Sequence, residues 1–133
     1  MKLNEQNLVE LHMTFNVGHC NGSMSLTILD NNCVIATFDQ INQPTLTIDR
    51  FITLPCKLTF ITGNKNSLID TKLDADGKIT QDKFIEVTGI RLGRFPVNIY
   101  KCLQGQSYWG LPGSVSVHFD ESNFLLWHLK NNI

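Results

Sequence analysis

Apolar and polar residues alternate in short runs along most of this chain. Leu11, Met13, Phe15 and Val17 take every second position with His12, Thr14 and Asn16 between them, the period-2 pattern of a strand with one buried face. Gly18-His-Cys-Asn-Gly22 is a turn-rich break. Met24, Leu26 and Ile28 then alternate with Ser23, Ser25 and Thr27, and Asp30-Asn31-Asn32 predicts a tight reversal into a third strand, Cys33–Phe38. Gln43-Pro44 closes this meander, because proline donates no N–H to a ladder. Leu46 and Ile48 mark a short strand leading to Phe51 and Leu54-Pro55.

The middle of the chain reads as strand, polar excursion, strand. Lys57 to Thr62 places Leu58 and Phe60 on one side, and Phe84 to Leu92 returns with Ile85 and Val87 in alternation. Between them Asp70, Asp74, Asp76 and Asp82 gather about Gly77. Gly89 predicts a β-bulge that shifts Ile90 and Leu92 relative to the core face. Gly93-Arg-Phe-Pro96 reads as a corner, Val97–Cys102 as a short strand and Gln104–Gly113 as a long loop. The C-terminus reads as a hairpin, Val115–Phe119 and Phe124–Leu129 about the turn Asp120–Asn123. The pattern predicts an all-β chain with little or no helix, an antiparallel β-sandwich of eight or nine short strands. A jelly-roll-like plan is preferred to an immunoglobulin-like one, because the Cys–Trp–Cys arrangement is absent. Residues 1–133 are read as one domain, with 1–10 as an edge segment or frayed arm.

Composition narrows this. A chain of 133 residues is long enough for a core of its own, and only 17% of it is charged. The surface is therefore built largely from Thr, Ser, Asn and Gln, which suit strands and turns. Eleven Lys and Arg against twelve Asp and Glu, with no basic run, argue against a nucleic-acid partner. No apolar run approaches the roughly 20 residues of a membrane span, and the N-terminus has no apolar signal-peptide region. A soluble chain without membrane insertion is expected. Cys20, Cys33, Cys56 and Cys102 form no C-x-x-C pair and are read as free thiols. Cys33 and Cys56, at strand starts, are expected to be buried, and Cys20, in a turn, to be the most reactive.

Asp74-Ala-Asp76-Gly77-Lys-Ile79 looks like the middle of an EF-hand or dockerin calcium loop. With Gly77 at the sixth place, however, the first and twelfth fall on Lys72 and Lys83, which supply no anionic oxygen. The favoured reading is an Asp76-Gly77 hairpin turn between Thr71–Leu73 and Lys78–Thr80, with no cofactor. A calcium site drawing on Asp70, Asp74, Asp76 and Asp82 is the alternative. Tyr108 and Trp109 lie in a glycine-flanked loop beside Gln104, Gln106 and Ser107, a combination able to stack on a pyranose and bond its hydroxyls. The competing reading folds Trp109 back as a lid over the core. Trp127, in an alternating run, is read as core. For zinc, His19 beside Cys20 lacks a second ligand pair at the right spacing. His118 and His128, with Asp120, are the nearest approach to acid–base chemistry. Without G-x-S-x-G, H-E-x-x-H or a P-loop, no enzyme is expected.

The block Leu54-Pro-Cys through Lys65-Asn, Asp70 through Lys83 and Ile85-Glu-Val-Thr-Gly-Ile-Arg-Leu, with the late Tyr-Trp-Gly and the closing Phe124-Leu-Leu-Trp-His, resembles small jelly-roll proteins encoded among the structural genes of tailed bacteriophages. These are similar in plan to carbohydrate-binding modules. The resemblance covers about the last 80 residues and implies a non-enzymatic virion component. On that implication the module would bind a cell-surface glycan in attachment. Alternatively, it serves assembly or capsid decoration, docking to other virion proteins or to copies of itself.

Overall fold

The computed structural model describes residues 8–66 and 68–119. Within them lie β1 (Leu8–Gly18), β2 (Ser25–Asp30), β3 (Cys33–Phe38), β4 (Thr45–Thr53), β5 (Cys56–Gly63) and β6 (Thr71–Leu73). There follow β7 (Ile79–Asp82), β8 (Phe84–Leu92), β9 (Phe95–Pro96), the helical turn α1 (Ile99–Cys102), β10 (Tyr108–Trp109) and β11 (Gly113–Phe119). One sheet has the order β10-β8-β1-β4 with β9 beside β8, the other β11-β5-β2-β3, and β6-β7 form a separate ribbon. Every pairing is antiparallel.

The all-β sandwich is as the alternation predicts, but the described residues hold eleven strands rather than eight or nine. Two of the extra strands, β9 and β10, are two residues long and too short for alternation to reveal. Strands β1 and β4 are neighbours in one sheet, while β2 and β5, which follow them in the chain, are neighbours in the other. This is a Greek-key arrangement. Its orders, β10-β8-β1-β4 against β11-β5-β2-β3, follow the jelly roll rather than the immunoglobulin type, whose first two strands share a sheet. The hairpin partner read at Phe124–Leu129, with Asp120, Trp127 and His128, lies outside the described residues.

The inner faces meet in one core. Leu11, Met13 and Phe15 of β1 and Leu26 and Ile28 of β2 are all fully buried, as are Leu58 and Phe60 of β5. Burying each such side chain is worth about 1.5–3 kcal/mol. The predicted bulge is present: Thr14 pairs with Gly89 but Phe15 with Val87, so Thr88 is the extra residue. It switches the parity of β8, and Ile85, Val87, Ile90 and Leu92 all reach the core. A Cβ on Gly89 would stand 2.7 Å from the Thr14 hydroxyl, which accounts for the glycine. The Asp30-Asn-Asn reversal is a two-residue turn with φ of 48° at Asn31 and 70° at Asn32, the left-handed pair that a tight hairpin requires and asparagine tolerates.

Two local expectations are corrected. Val97–Cys102 is not a strand, since Ile99–Cys102 forms a helical turn, closed by Cys102 N–H to Asn98 O and Leu103 N–H to Ile99 O. Ile99, Cys102 and Leu103 fall at i, i+3 and i+4, so a turn of helix sets all three against the core. The cysteines also exchange roles. All four are free, but Cys20 is buried and Cys33 exposed. Cys20 lies under the excursion, its thiol 3.8 Å from Ile69 O, whereas β3 is an edge strand that leaves its first residue uncovered. Burial pushes the Cys56 and Cys102 thiols up to about 12, helped at Cys56 by the negative charge of Asp30, so the nucleophilic thiolate is scarce there. A neutral-pH disulfide reagent should modify Cys33 first and alone, with the fast phase lost in Cys33→Ser. A fast phase that survives this substitution would contradict the burial pattern.

The register sets one further feature that bears on function. Gly18 pairs with Phe84, Asn16 with Thr45, Ser25 with Gly63 and Gly113 with Thr62, so the connections 19–24, 39–44, 64–83 and 103–112 all leave from the same end. They are bonded to one another there: Ile41 N–H donates to Ser23 Oγ, His19 Nε2–H to Ile41 O and Asn21 Nδ2 to Ile69 O.

Candidate functional site at the loop end

The ribbon β6-β7 is the tip of the polar excursion, and its base is fixed by two ion pairs. Lys65 Nζ lies 2.7 Å from Asp82 Oδ1, with side-chain exposures of 3% and 10%, and Lys83 Nζ lies 3.3 Å from Asp70 Oδ2. Each partner is satisfied further. Lys65 also donates to Gly110 O and Lys83 to Asn64 O. Asp82 accepts from Thr71 Oγ1 at 2.6 Å and Tyr108 OH at 2.8 Å, and Asp70 accepts from Asn66 N–H and Asn21 Nδ2. An isolated two-stranded ribbon is marginal in water. Here the buried network holds its root, and through Tyr108 and Gly110 it also holds the neighbouring 103–112 loop.

Tyr108 and Trp109 are parted by the two-residue strand β10. It pairs with β8, Tyr108 opposite Glu86 and Trp109 opposite Ile85, and Ile85 faces the core. Trp109 therefore points inward: it is 6% exposed, 5.2 Å from the ring of Phe60 and 6.2 Å from that of Phe15 between centroids. Its Nε1–H donates to Gln106 O at 2.6 Å. Tyr108 points outward, half-exposed and stacked on Phe84 at 4.9 Å. The sequence offered no alternation to carry a loop aromatic inward, yet a single edge pairing supplies it.

Between this loop and the ends of β5 and β11 opens a cleft of about 510 Å³. Gln106, Tyr108 and Trp109 border it on the loop side, with Leu111 at the rim and Phe60, Thr62 and Ser114 across from them. Of the residues singled out for a glycan, three thus border one cleft, and Gln104 is exposed but not among its walls. Phe60, Thr62 and Ser114 carried no signal in the sequence beyond their places in strands. Thr62 donates to Leu111 O, tying rim to wall.

The four acidic residues do not converge. Asp70 and Asp82 are taken up by Lys83 and Lys65. Asp74 Oδ1 accepts the backbone N–H groups of Asp76 and Lys78, 2.9 Å each, closing the turn in which Gly77 has φ of 81°. Among the described residues no three His, Cys, Asp or Glu side chains are placed to hold a metal ion. The expected outcome is a melting temperature unmoved by millimolar Ca²⁺ or by chelator. A calcium-dependent rise lost in Asp74→Ala would overturn it.

The network also sets a pH dependence. Hydrogen bonds hold the Asp70 carboxyl below its usual range, the Asn66 amide foremost, then Asn21 and Lys83. At Asp82 burial pushes upward, but the bonds from Lys65, Thr71 and Tyr108, with the Lys65 charge, together outweigh it. Depressed carboxyls stabilise the fold above their unfolded pKa near 3.9 and lose that contribution as pH falls through the folded values. Tyr108 moves the other way, up to about 12, through desolvation and then the Asp82 and Glu86 carboxylates. Its contribution is complete below about 10 and lost as pH rises through about 12. Urea midpoints should fall below about pH 4, and Tyr108→Phe should flatten the alkaline limb and, by removing one of the bonds to Asp82, weaken the acid limb in part. Equal alkaline loss in Tyr108→Phe would contradict the Asp82 bond.

No family model matches the chain, and no curated protein or solved structure matches it. The described residues define an all-β antiparallel sandwich with a cleft at its loop end. Among them no helix is long and apolar enough to cross a membrane.

Proposed function

We propose that this chain is a non-enzymatic binding module whose loop-end cleft takes a glycan. The cleft carries this reading: its walls combine the exposed ring of Tyr108 and the aliphatic carbon of Leu111 with the amide of Gln106 and the hydroxyls of Thr62 and Ser114. A saccharide presents the same mixture, apolar C–H faces and a ring of hydroxyls. The buried ion pairs at the ribbon base support it, because a loop held in one shape loses little freedom on binding. A place in a virion, where such a module would attach to a cell surface, rests on the resemblance to phage jelly-roll proteins. A glycan array is the test: binding by the wild type, weakened in Gln106→Ala at unchanged stability, is expected. Retention of no glycan at all would sink the reading.

One observation favours assembly as a second reading. Leu68, Ile69, Leu73 and Ile79 are 60–91% exposed on the same excursion, and exposed aliphatic groups of this kind mark protein contacts. On this reading the ribbon docks to another particle protein or to a second copy. Sedimentation of Leu73→Ser/Ile79→Ser against the wild type distinguishes it, since only an assembly element would change the sedimenting species.

A further inference from the structure

We infer that the loop-end cleft selects uncharged saccharides and rejects acidic ones. The inference rests on the binding reading above and specifies its ligand class. Among the described residues, none of the side chains bordering the cleft is charged. The charges behind the loop, Lys65 and Asp82, are committed to each other. The Lys65 ammonium is held by the Asp82 carboxylate and by Gly110 O, and its side chain is 3% exposed. Both Asp82 oxygens are occupied, Oδ1 by Lys65 and Thr71 and Oδ2 by the Tyr108 hydroxyl. Neither group can turn towards a ligand without abandoning a buried partner.

Recognition of a carboxylate or sulfate needs ammonium, guanidinium or several backbone N–H donors aimed at it. This cleft offers amide and hydroxyl groups, which donate and accept but carry no compensating charge. An acidic sugar entering here would be stripped of water against Tyr108 and Leu111 with no charge to replace its hydration. A neutral sugar meets the opposite balance. Its hydroxyls find Gln106, Thr62 and Ser114, and its C–H face finds the apolar wall. The volume of about 510 Å³ falls within the range of small-ligand clefts and leaves room for a short oligosaccharide.

Titration calorimetry on the intact chain, with neutral trisaccharides (maltotriose, cellotriose, triacetylchitotriose) and acidic ones (sialyllactose, trigalacturonate), tests this. At least one neutral ligand should bind, with the acidic set weaker by about tenfold or more. Leu111→Lys, which adds a cation at the exposed rim, should narrow that gap without loss of folding. An acidic saccharide that binds the wild type as tightly as the best neutral one would overturn the inference and leave the binding reading standing. If nothing in either set binds, the binding reading falls and the inference falls with it.

Discussion

Asp82→Ala is expected to destabilise the chain by about 3–5 kcal/mol, the cost of leaving a buried ammonium without its counter-ion. The geometry places this substitution at the heavy end of that range of effects. Lys65 is 3% exposed and Asp82 10%, and the same carboxylate also holds Thr71 and Tyr108. One change therefore loosens the ribbon root, the 64–70 connection and the 103–112 loop together. A solvent-exposed ion pair would be worth only about 0–1 kcal/mol. Urea unfolding separates the two cases. Lys65→Met combined with Asp82→Leu should recover much of the loss, because removing both charges leaves neither stranded. A cost below about 1 kcal/mol for Asp82→Ala would mean that water reaches the pair.

Trp109→Ala should be comparably severe, about 3–5 kcal/mol, as for other large aromatics removed from a core. The indole packs on Phe15 of one sheet and Phe60 of the other, so its loss opens a void where the two layers meet. It also frees the Gln106 carbonyl from its indole bond, unsettling the cleft wall. Weakened ligand binding in this variant would therefore report lost shape as well as lost contact. Gln106→Ala and Leu111→Lys sit at exposed positions and leave the core intact. A Trp109→Ala protein of native stability would place the indole outside the core.

The strands that bury one clean face were legible in the sequence. In β1, β2, β5 and β8 the alternation names the core residues directly, and Gly89 even marks where β8 changes parity. What failed was short or non-local. Val97–Cys102 carries enough alternation to resemble a strand, yet Ile99, Cys102 and Leu103 also suit one helical turn, and packing chose the turn. For Trp109, read either as a sugar platform or as a lid over the core, burial matches the second, and the deciding fact, two loop residues extending a sheet edge, is one no local pattern encodes. The acidic cluster was read correctly as a turn about Asp76-Gly77, but the partners of its outer members were not. Lys65 and Asp82 stand 17 residues apart and meet only because the ribbon doubles back. Cys20 and Cys33 show the same limit: a turn can be roofed by a distant loop, and a strand can lie at an open edge.

The most direct measurement is an amide chemical-shift map of the native protein titrated with the tightest saccharide from the array. The cleft assignment predicts a contiguous set of saturating shifts at Gln106, Tyr108, Leu111, Ser114 and Thr62, with the ribbon tip at Leu73 and Ile79 unmoved. Shifts centred on Leu73 and Ile79, or scattered over the outer sheet faces with the cleft silent, would contradict it.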